Sequence, residues 1–184
     1  MRKLIVVENL SLDGVMEAPE QWAFAYQNEE SAAVNKAGML PSNTLLLGRV
    51  TYTHLAGFWP SQTNNEMGIA DYINNVAKVV VSSTLKKVDW HNTTIMGGDL
   101  TEGITQLKQQ SDGNIVVLGS ALLVQSLMQA NLVDEYQLSL APVVLGHGKK
   151  LFPAGIDAQK LQLVEAKPFS TGVVLLRYQP APSA

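Results

Sequence analysis

The sequence predicts an α/β fold whose central sheet is mostly parallel and ends in a C-terminal antiparallel hairpin. Short runs rich in Val, Ile and Leu recur between amphipathic segments, the pattern of strands buried on both faces of a sheet and separated by helices. The last third abandons that alternation. Leu161–Ala166 and Gly172–Tyr178 are two strand-like runs joined through a Pro168–Gly172 turn, so they are expected to pair antiparallel. A chain of 184 residues buries enough surface to fold as one unit without a staple, so 1–180 reads as a single domain and 181–184 as a frayed tail.

In chain order, strands are expected at Lys3–Asn9, Thr44–Leu47, Val76–Ser82, Asn114–Leu118 and Glu135–Leu140. Helices are expected over Gln21–Ala37, Thr51–Ala56, Met67–Asn75, Leu100–Gln110 and Ala121–Ala130, and Thr93–Met96 adds a further short strand. Pro142, together with Gly146 and Gly148 around His147, marks 141–153 as a bent loop or bulged strand.

Composition narrows the chemistry. Hydrophobic residues make up 46% and charged residues 16%, a globular balance. A formal charge of −3 and a pI near 5.6 give no general attraction to nucleic acid or anionic lipid. Neither nucleic acid nor membrane is therefore expected as a partner, and any nucleotide must be held by a local site. With no cysteine, disulfides, thiolate nucleophiles and cysteine-ligated metals are excluded. The opening MRKLIVVENLSLDG has only a short apolar run before Glu8 and Asn9, and reads as a first strand rather than a signal peptide. No run approaches the roughly 20 apolar residues of a membrane span, and the cytoplasm is the expected location. His54, His91 and His147 lack the spacing of a metal pair, so no metal is expected, and no G-x-S-x-G elbow suggests a hydrolase.

Three strand ends share one form, an apolar run that stops in small or hydroxylic residues before a helical pattern. In LLLGRVTY, Gly48 lets a phosphate approach the backbone, Arg49 offers a charged fork, and Thr51 opens the next helix, whose first N–H groups are unpaired. The same residues also fit a plain turn with a solvated charge. In KVVVSSTL, Ser82, Ser83 and Thr84 can donate to phosphate or ribose oxygens, or simply form a turn and cap. In NIVVLGSALL, Leu118, Gly119 and Ser120 lead into Ala121 and Leu122 as a pyrophosphate turn would. Ligands of open α/β sheets bind beyond the strand carboxyl ends, where one crevice can collect all three turns. Neither G-x-G-x-x-G nor a P-loop is present.

These segments resemble the reductase C-terminal domain family of bacterial riboflavin biosynthesis and its dihydrofolate reductase-like superfamily. The likeness runs through SLDGVMEAP at 11–19, LLLGRVTY at 45–52, VVVSSTL at 79–85, VVLGSALL at 116–123 and LVDEYQLSLAPVVLGHGKKLF at 132–152. It implies a dihydrofolate reductase-like three-layer α/β/α fold and an NADPH cofactor. By the resemblance, Gly48, Arg49 and Thr51 lie near its phosphates, Ser82, Ser83 and Thr84 near the 2′-phosphate, and Leu118, Gly119, Ser120, Ala121 and Leu122 along the pyrophosphate. Ser11–Met16 looks like the family's lid. Asp13 within it is a catalytic candidate or a turn residue, and Trp22, in the Gln21-Trp22 pair, is either an active-site ring or plain core.

The chain departs from the two-step riboflavin enzyme. It lacks the H-x-E and P-C-x-x-C elements of the zinc deaminase half. THLAGFWP stands where that enzyme holds its phosphoribosyl substrate, and Phe58 and Trp59 suggest a more apolar pocket. The resulting expectation is an NADPH-dependent oxidoreductase, related to riboflavin biosynthesis, that passes hydride to a small planar heterocycle, pteridine- or aminopyrimidine-like. The alternatives are a non-catalytic nucleotide-binding or scaffold protein of the same fold and a flavin-using enzyme. Relatives pair as homodimers through carboxyl-terminal strands, and Val143–Leu145 with Val173–Leu176 supply apolar residues for that contact or for the chain's own core.

Overall fold

The computed structural model describes residues 1–62, 64, 68–110 and 113–182. Its strands are β1 (Leu4–Ser11), β2 (Ser42–Gly48), β3 (Ala77–Val81), β4 (Thr93–Met96), β5 (Asn114–Val117), β6 (Glu135–Ala141), β7 (Leu161–Pro168) and β8 (Val174–Pro180). Between them run α1 (Glu29–Met39), α2 (Arg49–Phe58), α3 (Ala70–Asn75), α4 (Leu100–Gln109) and α5 (Ala121–Gln129). The strands form one eight-stranded sheet in the order β4-β3-β2-β5-β1-β6-β8-β7. Contacts from β4 through β6 are parallel, and β8 pairs antiparallel with both β6 and β7. The expected mixed sheet and carboxyl-terminal hairpin are both present.

Strand periodicity divides the core. On β2, Leu46 joins Leu4 and Val6 of β1 and Ile115 and Val117 of β5 beneath α4 and α5. Its neighbours Leu45 and Leu47 face the other way, packing with Val80, Val116 and the α2 and α3 residues Tyr52 and Ile73. Helices therefore cover both faces, which is why these strands read as continuous apolar runs.

Two expectations change. A helix over Gln21–Ala37 is replaced by two single 3-10 turns, Pro19–Gln21 and Phe24–Tyr26, followed by α1. The cause is a capping box: Asn28 Oδ1 accepts from the Ser31 N–H at 2.9 Å, and Ser31 Oγ accepts from the Asn28 N–H at 3.0 Å. No helix follows β3 either, since residues 82–92 lead to β4 through bends and a turn. Met67, the expected start of α3, lies outside the described residues, as do Ser183 and Ala184 of the expected tail. Ala181 donates its N–H to the Lys160 carbonyl at 2.9 Å, which prolongs the β7–β8 pairing. Among the described residues no helix is long and apolar enough to cross a membrane.

A buried cation closes the α3 end. Lys78, 1% exposed, donates from Nζ to the carbonyls of Ile73, Asn74 and Val76 at 3.0, 3.0 and 2.7 Å, and lies 4.4 Å from the Trp90 ring centre. Lys78→Met keeps the apolar stem but leaves those carbonyls without their donor. It is expected to cost about 1–3 kcal/mol in urea unfolding, and an unchanged midpoint would show that the cation adds nothing.

Candidate active site

Strand order places three turns side by side. β2 lies between β3 and β5, with Gly48 in register with Val81 and Leu46 with Val117, so the carboxyl ends of the three strands leave the sheet together. Gly48 donates its N–H to the Gly119 carbonyl at 3.0 Å. A Cβ on Gly48 would overlap Ser120 Oγ and come within 3.0 Å of the Ser120 nitrogen. Gly119 has a φ of +73°, and a Cβ there would stand 2.9 Å from Thr51 Oγ1. The Gly119–Ser120 peptide is cis.

Both helices that start here begin without a side-chain cap: Gly48 precedes α2 and Ser120 precedes α5. Their first N–H groups thus face the crevice with the positive ends of two helix dipoles, a seat suited to an anion. Arg49 opens α2 and is exposed. At the next strand end, the Ser82 hydroxyl accepts from the N–H groups of Leu85 at 2.9 Å and Thr84 at 3.2 Å, shaping the turn and leaving Ser83 and Thr84 exposed. Ala121 is buried and Leu122 exposed on the first turn of α5.

Glu8, near the carboxyl end of β1, also reaches this place. Its Oε1 is shut off from solvent with no hydrogen-bond partner and lies 3.8 Å from where a Gly119 Cβ would stand. Burial pushes the carboxyl from its ordinary 4.5 up to about 8, and the Gly119 backbone offsets only part of that rise.

On the opposite face a cleft runs beneath α1, which buries only Ser31 and Met39. At the carboxyl end of β1 it narrows to a space of about 10 Å³ between polar Asn9, Gln27, Asn35 and Ser139 and apolar Ala23 and Val173. Toward the amino end, Asn35 also borders a cavity of about 380 Å³ near Lys3, Glu135 and Arg177. Glu29 and Glu30 of α1 are exposed, and Glu30 pairs with Lys167 at 3.6 Å, so α1 sends no carboxylate into the cleft. Glu8 and Asn9, adjacent on β1, face opposite sides of the sheet.

Comparison with known proteins decides the family. The model of the RibD C-terminal domain matches residues 2–175. The chain belongs to that family. It is 30% identical over 138 residues to the uncharacterised protein YyaP of Bacillus subtilis, covering 74% of this chain and 73% of YyaP. With YwjB of the same organism, also uncharacterised, it shares 29% over 177 residues, 95% and 96% of the two chains. Among solved structures, a putative riboflavin biosynthesis protein from Shewanella sp. PV-4 superposes with a TM-score of 0.78 at 17% identity, covering 98% and 99% of the chains. A pyrimidine reductase-like protein from Corynebacterium diphtheriae gives 0.72 at 11% identity, covering 99% of this chain and 93% of that one. Dihydrofolate reductase from Enterococcus faecalis, complexed with NADP(H), gives 0.62 at 17% identity, covering 98% and 97%. The fold is dihydrofolate reductase-like.

Within this family fold the structure sorts the sequence-derived residues. Gly48, Arg49, Thr51, Ser82, Ser83, Thr84 and 118–122 all belong to the three neighbouring turns. Trp22 lies outside α1, among the residues packed around Phe169 and Val173, and donates from Nε1 to the Glu17 carbonyl at 3.0 Å. Trp59 is core, packed edge-on against the exposed Phe58 at 5.2 Å, and does not line either cleft. Glu8 was not singled out by any motif. Its only trace is a carboxylate inside an otherwise apolar run.

Asp13 is a loop clamp. Its Oδ1 accepts from Ser11 Oγ at 2.7 Å and the Leu145 N–H at 3.0 Å, and its Oδ2 from the Gly146 N–H at 2.9 Å. Leu12 donates to Val143, Met16 to Lys149 and Leu151 to Gly14, so 11–16 and 142–151 are laced into one unit. The Ser11 hydroxyl, then the two loop N–H groups, hold the Asp13 carboxyl at about 2, below its ordinary 3.8. Such a group has no proton to give near neutrality. Because the folded value is the lower one, its stabilising contribution is full above about pH 4 and is lost as pH falls toward 2. The melting-temperature gap between wild type and Asp13→Ala should therefore be widest at neutral pH and close on acidification, whereas a constant gap would assign the loss to something other than this charge.

Proposed function

We propose that this chain is an NADPH-dependent reductase that delivers hydride to a C=N or C=O bond of a small planar heterocycle, pteridine- or aminopyrimidine-like. The observation that carries the reading is the convergence of three turns at two helix starts without side-chain caps, with Gly48 and Gly119 letting the β2–α2 and β5–α5 turns close on each other. NADP(H) is the ligand of the Enterococcus faecalis reductase that shares this fold. The donor set suits a dinucleotide phosphate: Gly48, Arg49 and Thr51 at one helix start, and Leu118 to Leu122 at the other for the pyrophosphate. Ser82, Ser83 and Thr84 with Arg49 supply the hydroxyls and the charge that a 2′-phosphate needs.

When bound, NADPH supplies the hydride at its nicotinamide C4. The chain's own residues orient the partners and exclude water. Asn9, Gln27, Asn35 and Ser139, at the narrow end of the cleft, carry the amides and the hydroxyl that would meet a neutral heterocycle. The absence of an α1 carboxylate there favours, as a second reading, a nucleotide-binding protein without turnover. NADPH oxidation against a panel of pteridines and aminopyrimidines separates the two. The same proposal places the chain in the cytoplasm as a homodimer. Exposed Val144 and the edge strand β7, with Leu163 and Val164, supply apolar surface, whereas Val173 and Leu175 are buried in the chain's own core.

Arg49→Ala removes a charged hydrogen-bond donor of about 1.5–3 kcal/mol, so NADPH affinity should fall roughly ten- to a hundredfold. NADH affinity should change little. Titrations following tryptophan fluorescence measure both, and equal losses or none would remove Arg49 from the 2′-phosphate site.

A further inference from the structure

We propose that Glu8 is a proton-dependent cofactor-binding residue: neutral, it admits the dinucleotide and can donate a hydrogen bond at the β1–β5 seam, and ionised, it repels the phosphates. This rests on the reductase reading given above. Buried polar atoms in folded proteins are nearly always paired, so an orphan facing a crevice points to a partner supplied by a ligand. Glu8 Oε1 is such an atom, and the residue it approaches, Gly119, belongs to one of the turns read as the phosphate cradle. The residue as a whole keeps partial solvent access while Oε1 is closed off, which suits a group at the rim of a ligand space.

Among the described residues no titratable cation forms an ion pair with Glu8, and the Gly119 backbone favours its charge only in part. Gly119 of the β5–α5 turn lies beside Glu8, and on β6 its register partner is Leu138. On its own strand the neighbours on the same face are the core residues Val6 and Leu10. None of these titrates, and no ion pair among the described residues joins Glu8 to exposed Arg49. A carboxylate here would place an uncompensated charge beside an anionic ligand, where low polarisability leaves the repulsion poorly screened. Burial favours the neutral acid up to about pH 8, so the admitting form prevails at neutrality. Binding of the dinucleotide raises the proton affinity further, and by linkage binding takes up a proton wherever the free protein has lost it.

Calorimetric titration of NADPH into the full chain between pH 7 and 9.5 tests this. For wild type, the affinity should fall by up to tenfold per pH unit above about pH 8, while Glu8→Gln, a neutral isostere that cannot ionise, should show no such fall over the same range. Identical pH profiles for the two proteins would overturn the proposal while leaving the reductase reading intact. Failure of wild type to bind NADPH at pH 7 would overturn the reductase reading itself. If Glu8→Gln does not fold, wild-type titrations at pH 8.5 in two buffers of different ionisation enthalpy give the same decision. Uptake of more than half a proton per NADPH supports Glu8, and uptake of none overturns it.

Discussion

The Gly48 N–H meets the Gly119 carbonyl at 3.0 Å, and this contact sets how closely the β2–α2 and β5–α5 turns approach. A methyl group on Gly48 would strike Ser120, and one on Gly119 would press on Thr51 while the backbone stayed in the left-handed region. The contact brings two helix starts together, neither with a side-chain cap. Everything read here as a nucleotide site depends on that spacing. It follows from strand order, because only a β3-β2-β5 sequence of neighbours lines up these three strand ends.

A second pairing frames the other side. Loop 11–16 does not hang free, since Asp13 and three backbone hydrogen bonds fasten it to 142–151. β1 joins the two regions. Its even-numbered residues pack beneath α5 and deliver Glu8 toward the phosphate turns, and its odd-numbered residues floor the cleft under α1 and deliver Asn9. One strand end thus sends Glu8 to one face of the sheet and Asn9 to the other.

The sheet was legible because its strands are buried on both faces, so Leu45–Leu47 and Val79–Val81 stand out as apolar runs without any tertiary information. The three turns are legible for a related reason: glycine and hydroxyl residues stop each apolar run abruptly. The start of α1 was not. Asn28 and Ser31 form a capping box with serine in place of the usual Glu or Gln, and the apolar residues before it, Trp22, Ala23 and Phe24, extend the helical pattern backward into what are 3-10 turns. Trp59 was misread as pocket lining because an aromatic residue near a helix end looks the same whether it turns inward or outward. Glu8 escaped notice because its significance comes from Gly119, 111 residues away in the chain, and no local pattern carries that pairing.

The central claim, that three turns distant in sequence serve one anionic ligand, is tested most directly by backbone amide chemical shifts during an NADPH titration of isotopically labelled protein. Gly48, Arg49, Ser82 to Thr84 and Gly119 to Leu122 are expected to shift together along one saturable curve, while the distant amides of β7 stay fixed. Shifts confined to one of the three turns, or spread over a different surface, would contradict it.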